Sequence, residues 1–334
     1  MKKFVNYFLL ASLFVAGLTG LAACSSSDDD DEPGSSGTLE TPKYESVSAK
    51  YIISDLESDI QSVELTESGN YVIVRRGYEL DVKGAQTAQV QTIPLFFGRH
   101  ATTRASVPQI IEGKYTKISD TEFDLIGYGH ITVTGAADNA VALVITPTGG
   151  TAFTLHAART EQKSNSDLTN KLCRTWTISS LRLQISVGNE EIMNSEHKIT
   201  ELSKFKEDYI SVVKKMYSKQ GYSLSDEEAR AMANEMFADD FDDEDTFTPS
   251  RVIFTKAGSY MVQYTNGELA LSTWSWLDES KGIIRYSWNY ENLEDEYMGG
   301  NVYVSFRGAQ MAIREGMEVE GMTENVTIYF DEVK

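Results

Sequence analysis

Cysteine is almost absent from this chain: Cys24 and Cys173 are the two among 334 residues. A chain with so few thiols is not stapled by a disulfide framework. Histidine is scarce as well, and His100, His130, His156 and His197 are scattered without a His-Glu-x-x-His frame, so they alone offer no zinc site. There is no Gly-x-Ser-x-Gly elbow, no phosphate-cradling glycine loop and no Cys-His frame, which removes the usual marks of nucleophilic and nucleotide-dependent enzymes. A carboxylate-pair hydrolase leaves no such mark, since its two acids meet from distant strands, and it stays open. Positive charge is short, with 30 Lys and Arg against 50 Asp and Glu and a formal net charge of −20. That balance repels phosphate backbones and anionic lipid, and excludes a nucleic-acid partner. Alternation around Cys173 puts Leu172, Arg174, Trp176 and Ile178 on one strand face, and the cysteine reads as a small buried residue rather than a reactive thiol.

Long apolar runs are confined to the start. Lys2 and Lys3 precede an apolar stretch from Phe4 that closes on Leu21-Ala22-Ala23-Cys24. A basic region, an apolar core and small residues before a cleavage point make a signal peptide over residues 1–23, although the length approaches the ~20 residues of a spanning helix. The Leu-Ala-Ala-Cys box resembles the lipobox of bacterial lipoproteins. The resemblance implies cleavage before Cys24 and acylation of that cysteine by diacylglycerol and palmitate-type chains, giving a membrane anchor without a spanning helix. Loss of Lys2 and Lys3 with the leader takes the formal charge from −20 to −22. The acid run Asp28-Asp29-Asp30-Asp31-Glu32 resembles the export signal that carries lipoproteins of Bacteroides-type bacteria to the outer face of the outer membrane. A solvated spacer is the alternative, because like charges repel and stay extended. Residues 24–43, rich in Ser, Gly, Asp and Pro, read as a disordered acidic tether.

Beyond the tether the pattern is of short β-branched and aromatic runs separated by turn residues. In residues 44–160 such runs fall at 60–65, 71–74, 92–97, 113–118, 122–126, 130–133, 140–145 and 151–155. Many short strands at close spacing predict an antiparallel sandwich or barrel. A polar stretch over 160–167 marks the boundary of a second domain, 168–334. There, Leu202, Phe205, Tyr209, Val212, Val213 and Met216 recur at spacings of three and four, which is one face of a helix. Gly221 ends it, and Ser225-Asp226-Glu227-Glu228 supplies a capping box for a second helix with Ala229, Met232, Met236 and Phe237 on its inner stripe. The two predict an α-hairpin inserted over 201–238. Eight further runs surround it, at 176–185, 251–255, 260–264, 268–277, 282–290, 302–306, 310–314 and 326–330. Eight is the number at which a closed barrel just accommodates side chains or one small ligand.

The second domain resembles the lipocalin-like domains of Bacteroides-type lipoproteins. The resemblance is carried by Leu172 to Trp176, by Phe254-Thr255-Lys256-Ala257-Gly258-Ser259-Tyr260 with a turn glycine, and by Trp274-Ser275-Trp276. It implies that Trp176 plugs the closed end of a barrel. Arg174 stands where lipocalins carry a glycine, and the α-hairpin is an addition to a plain lipocalin. The predicted fold is therefore mainly β: two β-rich domains, barrel or sandwich, the second lipocalin-like with an inserted α-hairpin. The first domain carries Ser68-Gly69-Asn70-Tyr71 and Glu112-Gly113-Lys114-Tyr115, a glycine two residues before a tyrosine each time, which suggests two domains of related type.

Two clusters are candidates for chemistry. Asp239, Asp240, Asp242, Asp243, Glu244 and Asp245 crowd around the predicted end of the second helix, where their charge opposes the helix dipole. Oxygen ligands at that density suit calcium, and a solvated loop is the alternative, since no glycine stands where an EF-hand loop requires one. Trp274, Trp276, Tyr286, Trp288 and Tyr290 lie at alternate positions of neighbouring strands and could stack a sugar ring or an apolar molecule, or else form core. No other cofactor is implied. Three functions follow: a non-catalytic surface protein binding a small molecule, a glycan or an envelope protein; a structural or interaction protein with a filled barrel; and an extracellular hydrolase.

Overall fold

The structure, a computed structural model, describes residues 48–76, 109–137, 140–160, 164–201, 203–219, 221–240, 249–265, 267, 269–287, 299–319 and 322–333. The first eight strands are β1 (Ala49–Ile53), β2 (Ile60–Leu65), β3 (Asn70–Arg75), β4 (Gln109–Lys117), β5 (Glu122–Leu125), β6 (Gly129–Ala137), β7 (Ala140–Pro147) and β8 (Phe153–Thr160). Each pairs antiparallel with its successor, and β8 returns to β1 with Lys50 opposite Thr160, so the sheet closes into a barrel. Closure removes the exposed edges that an open sheet would leave. Of the two architectures left open by the sequence, barrel or sandwich, the barrel is the one formed.

A short helix, α1 (Asp167–Leu172), joins the barrels, with Ser166 capping it by accepting the Thr169 N–H. Nine strands follow: β9 (Thr175–Val187), β10 (Glu190–Lys198), β11 (Pro249–Phe254), β12 (Ser259–Tyr264), β13 (Leu269–Asp278), β14 (Ile283–Ser287), β15 (Gly299–Arg307), β16 (Gln310–Val319) and β17 (Met322–Glu332). β9 pairs with β17, which closes a second barrel. Its ring has eight members because β10 and β11 share one edge of β9: Lys198 sits opposite Ser180, and Arg251 resumes opposite Thr177. They are two halves of one strand. Between them stand the helices α2 (Lys204–Lys219) and α3 (Asp226–Asp240), the expected α-hairpin. Gly221 follows α2 with φ +84°, and the Ser225 hydroxyl accepts the Glu228 N–H while the Ser225 N–H donates to the Glu228 carboxylate, as a capping box requires. The inner face of α2 joins the core through Phe205, Tyr209, Val212 and Val213, together with Ala229 and Ala233 of α3.

One expectation needs correcting. Leu172 and Cys173 do not belong to the first strand of the second barrel; they end α1, and β9 starts at Thr175. The Ser166 cap commits the segment to a helical turn before strand pairing begins, so alternation does not apply across it. Cys173 is buried and unpaired in a disulfide.

Most strands obey the two-residue period of a half-buried sheet. Along β7, Val141, Leu143 and Ile145 point inward and are buried, and along β8 Leu155 and Ala157 do the same. Two hairpins break the rule. β2 and β3, and likewise β11 and β12, are buried on both faces. Their outer faces are covered by each other: Val72, Val74 and Ile110 of the first barrel pack with Ile253, Met261 and Leu271 of the second.

Candidate functional site

The chain builds the same six-residue turn twice, and the site grows from it. Thr66-Glu67-Ser68-Gly69-Asn70-Tyr71 links β2 to β3, and Thr255-Lys256-Ala257-Gly258-Ser259-Tyr260 links β11 to β12. In the first, the Gly69 N–H donates to the Thr66 carbonyl at 3.1 Å and the Asn70 N–H to the Thr66 hydroxyl at 3.0 Å. In the second, Gly258 and Ser259 repeat both bonds to Thr255, at 3.0 and 3.1 Å. Gly69 and Gly258 have φ of +76° and +88°, values that a side chain would strain.

An aromatic residue of the next strand clasps each turn. Tyr115 on β4 gives its backbone N–H to the Gly69 carbonyl at 3.0 Å and its hydroxyl to the Thr66 carbonyl at 2.9 Å. Trp274 on β13 gives its backbone N–H to Gly258 at 2.9 Å and its indole N–H to Thr255 at 3.1 Å. Tyr51 on β1 and Trp176 on β9 match in the same way, facing Val63 and Val252, each three residues before its turn threonine.

These bonds fix the predicted aromatic cluster. Trp274 pairs in register with Tyr286, and Trp276 with Ile284, so three of the five candidates share one face. Trp288 and Tyr290 lie outside the described residues. Trp274 and Tyr286 are both 0 % exposed. Packing, the alternative weighed for these aromatics from the sequence, is the arrangement found for both. Trp274 stands edge-on to Phe254 at 5.8 Å and to Trp276 at 5.6 Å. Burial pushes the Tyr286 phenol up from its ordinary value, and its hydroxyl donates to Glu315 at 3.0 Å. Trp276, half-buried, donates to the Thr169 hydroxyl of α1 at 2.8 Å. Trp176, expected to plug one end, is fully buried and donates its indole N–H to the Leu172 carbonyl. Arg174, at the position where the lipocalin pattern has glycine, is buried and pairs with Glu332 at 2.6 Å.

The other candidates fall largely beyond view. Cys24, Asp242, Asp243 and Asp245 lie outside the described residues; Asp239 and Asp240 are the last residues of α3, and their side chains are outside the description too. Among the described residues no group of three or more His, Cys, Asp or Glu side chains converges as metal ligands would. Nor is any helix among them long and apolar enough to cross a membrane.

What sequence reasoning missed is the polar half of the contact between the barrels. Lys50 and Glu64 of the first barrel, with 6 % and 3 % exposure, reach Ser259 of the second. The Lys50 ammonium donates to the Ser259 hydroxyl at 2.9 Å, and that hydroxyl donates to Glu64 at 2.6 Å. The Lys256 N–H donates to the Glu67 carboxylate at 3.0 Å, so the two equivalent turns touch directly. Arg251 spans from β11 to Glu112 of β4 at 2.8 Å. Charged groups at such depth survive only where they find partners. A signal was present in the sequence: 72–74 and 252–254 are unbroken apolar runs, where one-sided strands alternate.

No family model matches the chain, and no curated protein matches it. Among solved structures it is similar to a single-site and a double-site variant of transferrin-binding protein B from Haemophilus parasuis Hp5, and to the isotype 1 transferrin-binding protein B of serogroup B Neisseria meningitidis, each at 8 % identity. These superpositions cover 67 %, 86 % and 86 % of this chain, with TM-scores of 0.20, 0.20 and 0.19. They cover 39 %, 45 % and 43 % of those chains, so the match takes in less than half of each. The superpositions are loose, and the two-barrel architecture rests on this chain's own strand ladders.

Proposed function

We propose that the chain is an outer-membrane lipoprotein, acylated at Cys24 and displayed on the cell surface by its acidic tether, whose two docked barrels form a non-catalytic binding body. Its partner is a glycan or a protein of the envelope or surroundings, met by the outer surface rather than by the barrel interiors. The observation that carries this reading is the clasping of the turns by Trp274 and Tyr115. These residues are committed to holding the turns, and continuous clusters of buried apolar side chains run through both interiors. Recognition then falls to groups that solvent can reach. The acylation box, the acidic tether and the scarcity of catalytic motifs support the same reading from the sequence.

Two measurements test it. Cells fed labelled palmitate should mark the wild-type chain and leave Cys24→Ser unmarked, and protease added to intact cells should remove the protein from the surface. An environment-sensitive apolar dye, mixed with the purified chain, should show no saturable enhancement. A stoichiometric site that quenches Trp274 fluorescence would instead place a small ligand inside the second barrel and overturn the exterior reading.

A further inference from the structure

Glu67 occupies the second position of the first barrel's turn, where the second barrel has Lys256, and only 3 % of it is exposed. Three stretches remote in sequence approach its carboxyl. Lys256 of the β11–β12 turn donates its backbone N–H to Oε1 at 3.0 Å. Ser48, just before β1, lies close to it, as does the Cys173 thiol between α1 and β9. Glu64 of β2 adds a second carboxylate nearby. The two ammonium groups of this region are bonded to other acceptors: Lys50 donates to Ser259 at 2.9 Å and stands 4.0 Å from Glu64, while Lys256 donates to Asn165 at 2.8 Å.

We propose that Glu67 is a proton-operated latch between the barrels: as a neutral acid it lets the two turns close on each other, and as an anion it loosens them and bares the Cys173 thiol. The closed geometry removes water from the carboxyl. Burial pushes it from 4.5 up to about 7, ahead of the opposing pull of its own backbone N–H, of Ser48 and of the Lys256 N–H, and Glu64 raises it further. In an opened contact the carboxyl is hydrated and releases its proton near its ordinary value. Closing therefore takes up a proton between those two limits. The added closure is complete below about pH 4.5 and is lost as the pH rises through about 7. The linked change in the closing equilibrium is on the order of 100-fold.

Cys173 reports the opening. It is 1 % exposed in the closed form. The full-length chain is labelled with a maleimide between pH 5 and pH 8, modification of the Cys173 peptide is read by mass spectrometry, and each rate is divided by that of the denatured chain at the same pH. The expected result is a normalised rate at least tenfold higher at pH 8, with the near-ultraviolet circular dichroism of the buried tryptophans unchanged. Glu67→Gln should stay at the low rate throughout. A normalised rate that is flat in the wild type overturns the latch, as does a rise that persists in Glu67→Gln or one that comes with loss of the tryptophan dichroism, which would signal global unfolding. Because the wild-type profile is decisive by itself, a poorly folded variant does not spoil the test.

Discussion

The two barrels share their closing device and differ in what they hang from it. Both use a Thr-x-x-Gly-x-Tyr turn, a positive-φ glycine and an aromatic clasp, and both lay a tyrosine over a cross-strand glycine, Tyr71 over Gly113 and Tyr286 over Gly300. The clasp is a phenol in the first barrel and an indole in the second. The first barrel keeps its second strand whole, as β2. The second splits the equivalent strand into β10 and β11 and inserts the α-hairpin. In the first, β3 ends at Arg75 and β4 begins opposite it at Gln109, at the end of β3 remote from the turn. In the second, the excursion opens before β11, again remote from the turn. The lesson is spatial: the ends that touch are built alike, and the α-hairpin enters at the end of β11 remote from the turn.

The largest blow to this equivalence should come from Trp274→Ala, which empties a fully buried indole site and removes the clasp, at a cost of about 3–5 kcal/mol in chemical denaturation. Tyr115→Ala should act likewise on the first barrel. If Tyr115→Phe, which deletes only the hydroxyl, costs nothing instead of about 1 kcal/mol, the phenol is not a clasp and the comparison breaks. Next is Gly113→Ala. A Cβ there would lie 2.5 Å from the Tyr71 ring, whereas at Gly300 it would lie 3.1 Å from the Tyr286 hydroxyl. Gly113→Ala should lose about 1–3 kcal/mol and more than Gly300→Ala, the reverse order meaning that the Tyr71 ring moves aside freely. Gly69→Ala and Gly258→Ala should each cost about 1–2 kcal/mol, and a cost confined to one of them would show that the turns are not equivalent. The smallest effect belongs to Arg251→Met. It should remove about 1 kcal/mol, because the ion pair with Glu112 is partly screened by solvent, and should begin to separate the two barrels' melting transitions in calorimetry. A single unchanged transition would assign the coupling to the apolar patch alone.

Much of this fold could be seen in the residues. The α-hairpin announced itself through three-and-four spacing and the Ser225 to Glu228 box, and the turn at Gly258 through a glycine between β-branched and aromatic runs. β10 was missed because Ile192 and Met193 are buried side by side at an irregularity between Glu191 and Met193, which destroys alternation. α1 was missed because six residues hold too few apolar positions to show a period. The clasps were invisible for another reason: Tyr115 and Trp274 acquire their meaning from register with a turn, and register is not written in either residue. Nothing about Lys50, Glu64 and Glu67 taken singly announces that they are buried. Local chemistry is readable one element at a time, and burial created by a partner domain is not.

Where β1 begins has a mechanical consequence. Ser48, Ala49 and Lys50 are all buried, and Lys50 is already bonded to the second barrel. A pull from the amino-terminal side therefore reaches, among the first described residues, one that is paired within the first barrel and bonded to the second. A rope tied at the hinge of a pair of shutters pulls on both, and a load applied ahead of Ser48 meets a residue held by both barrels.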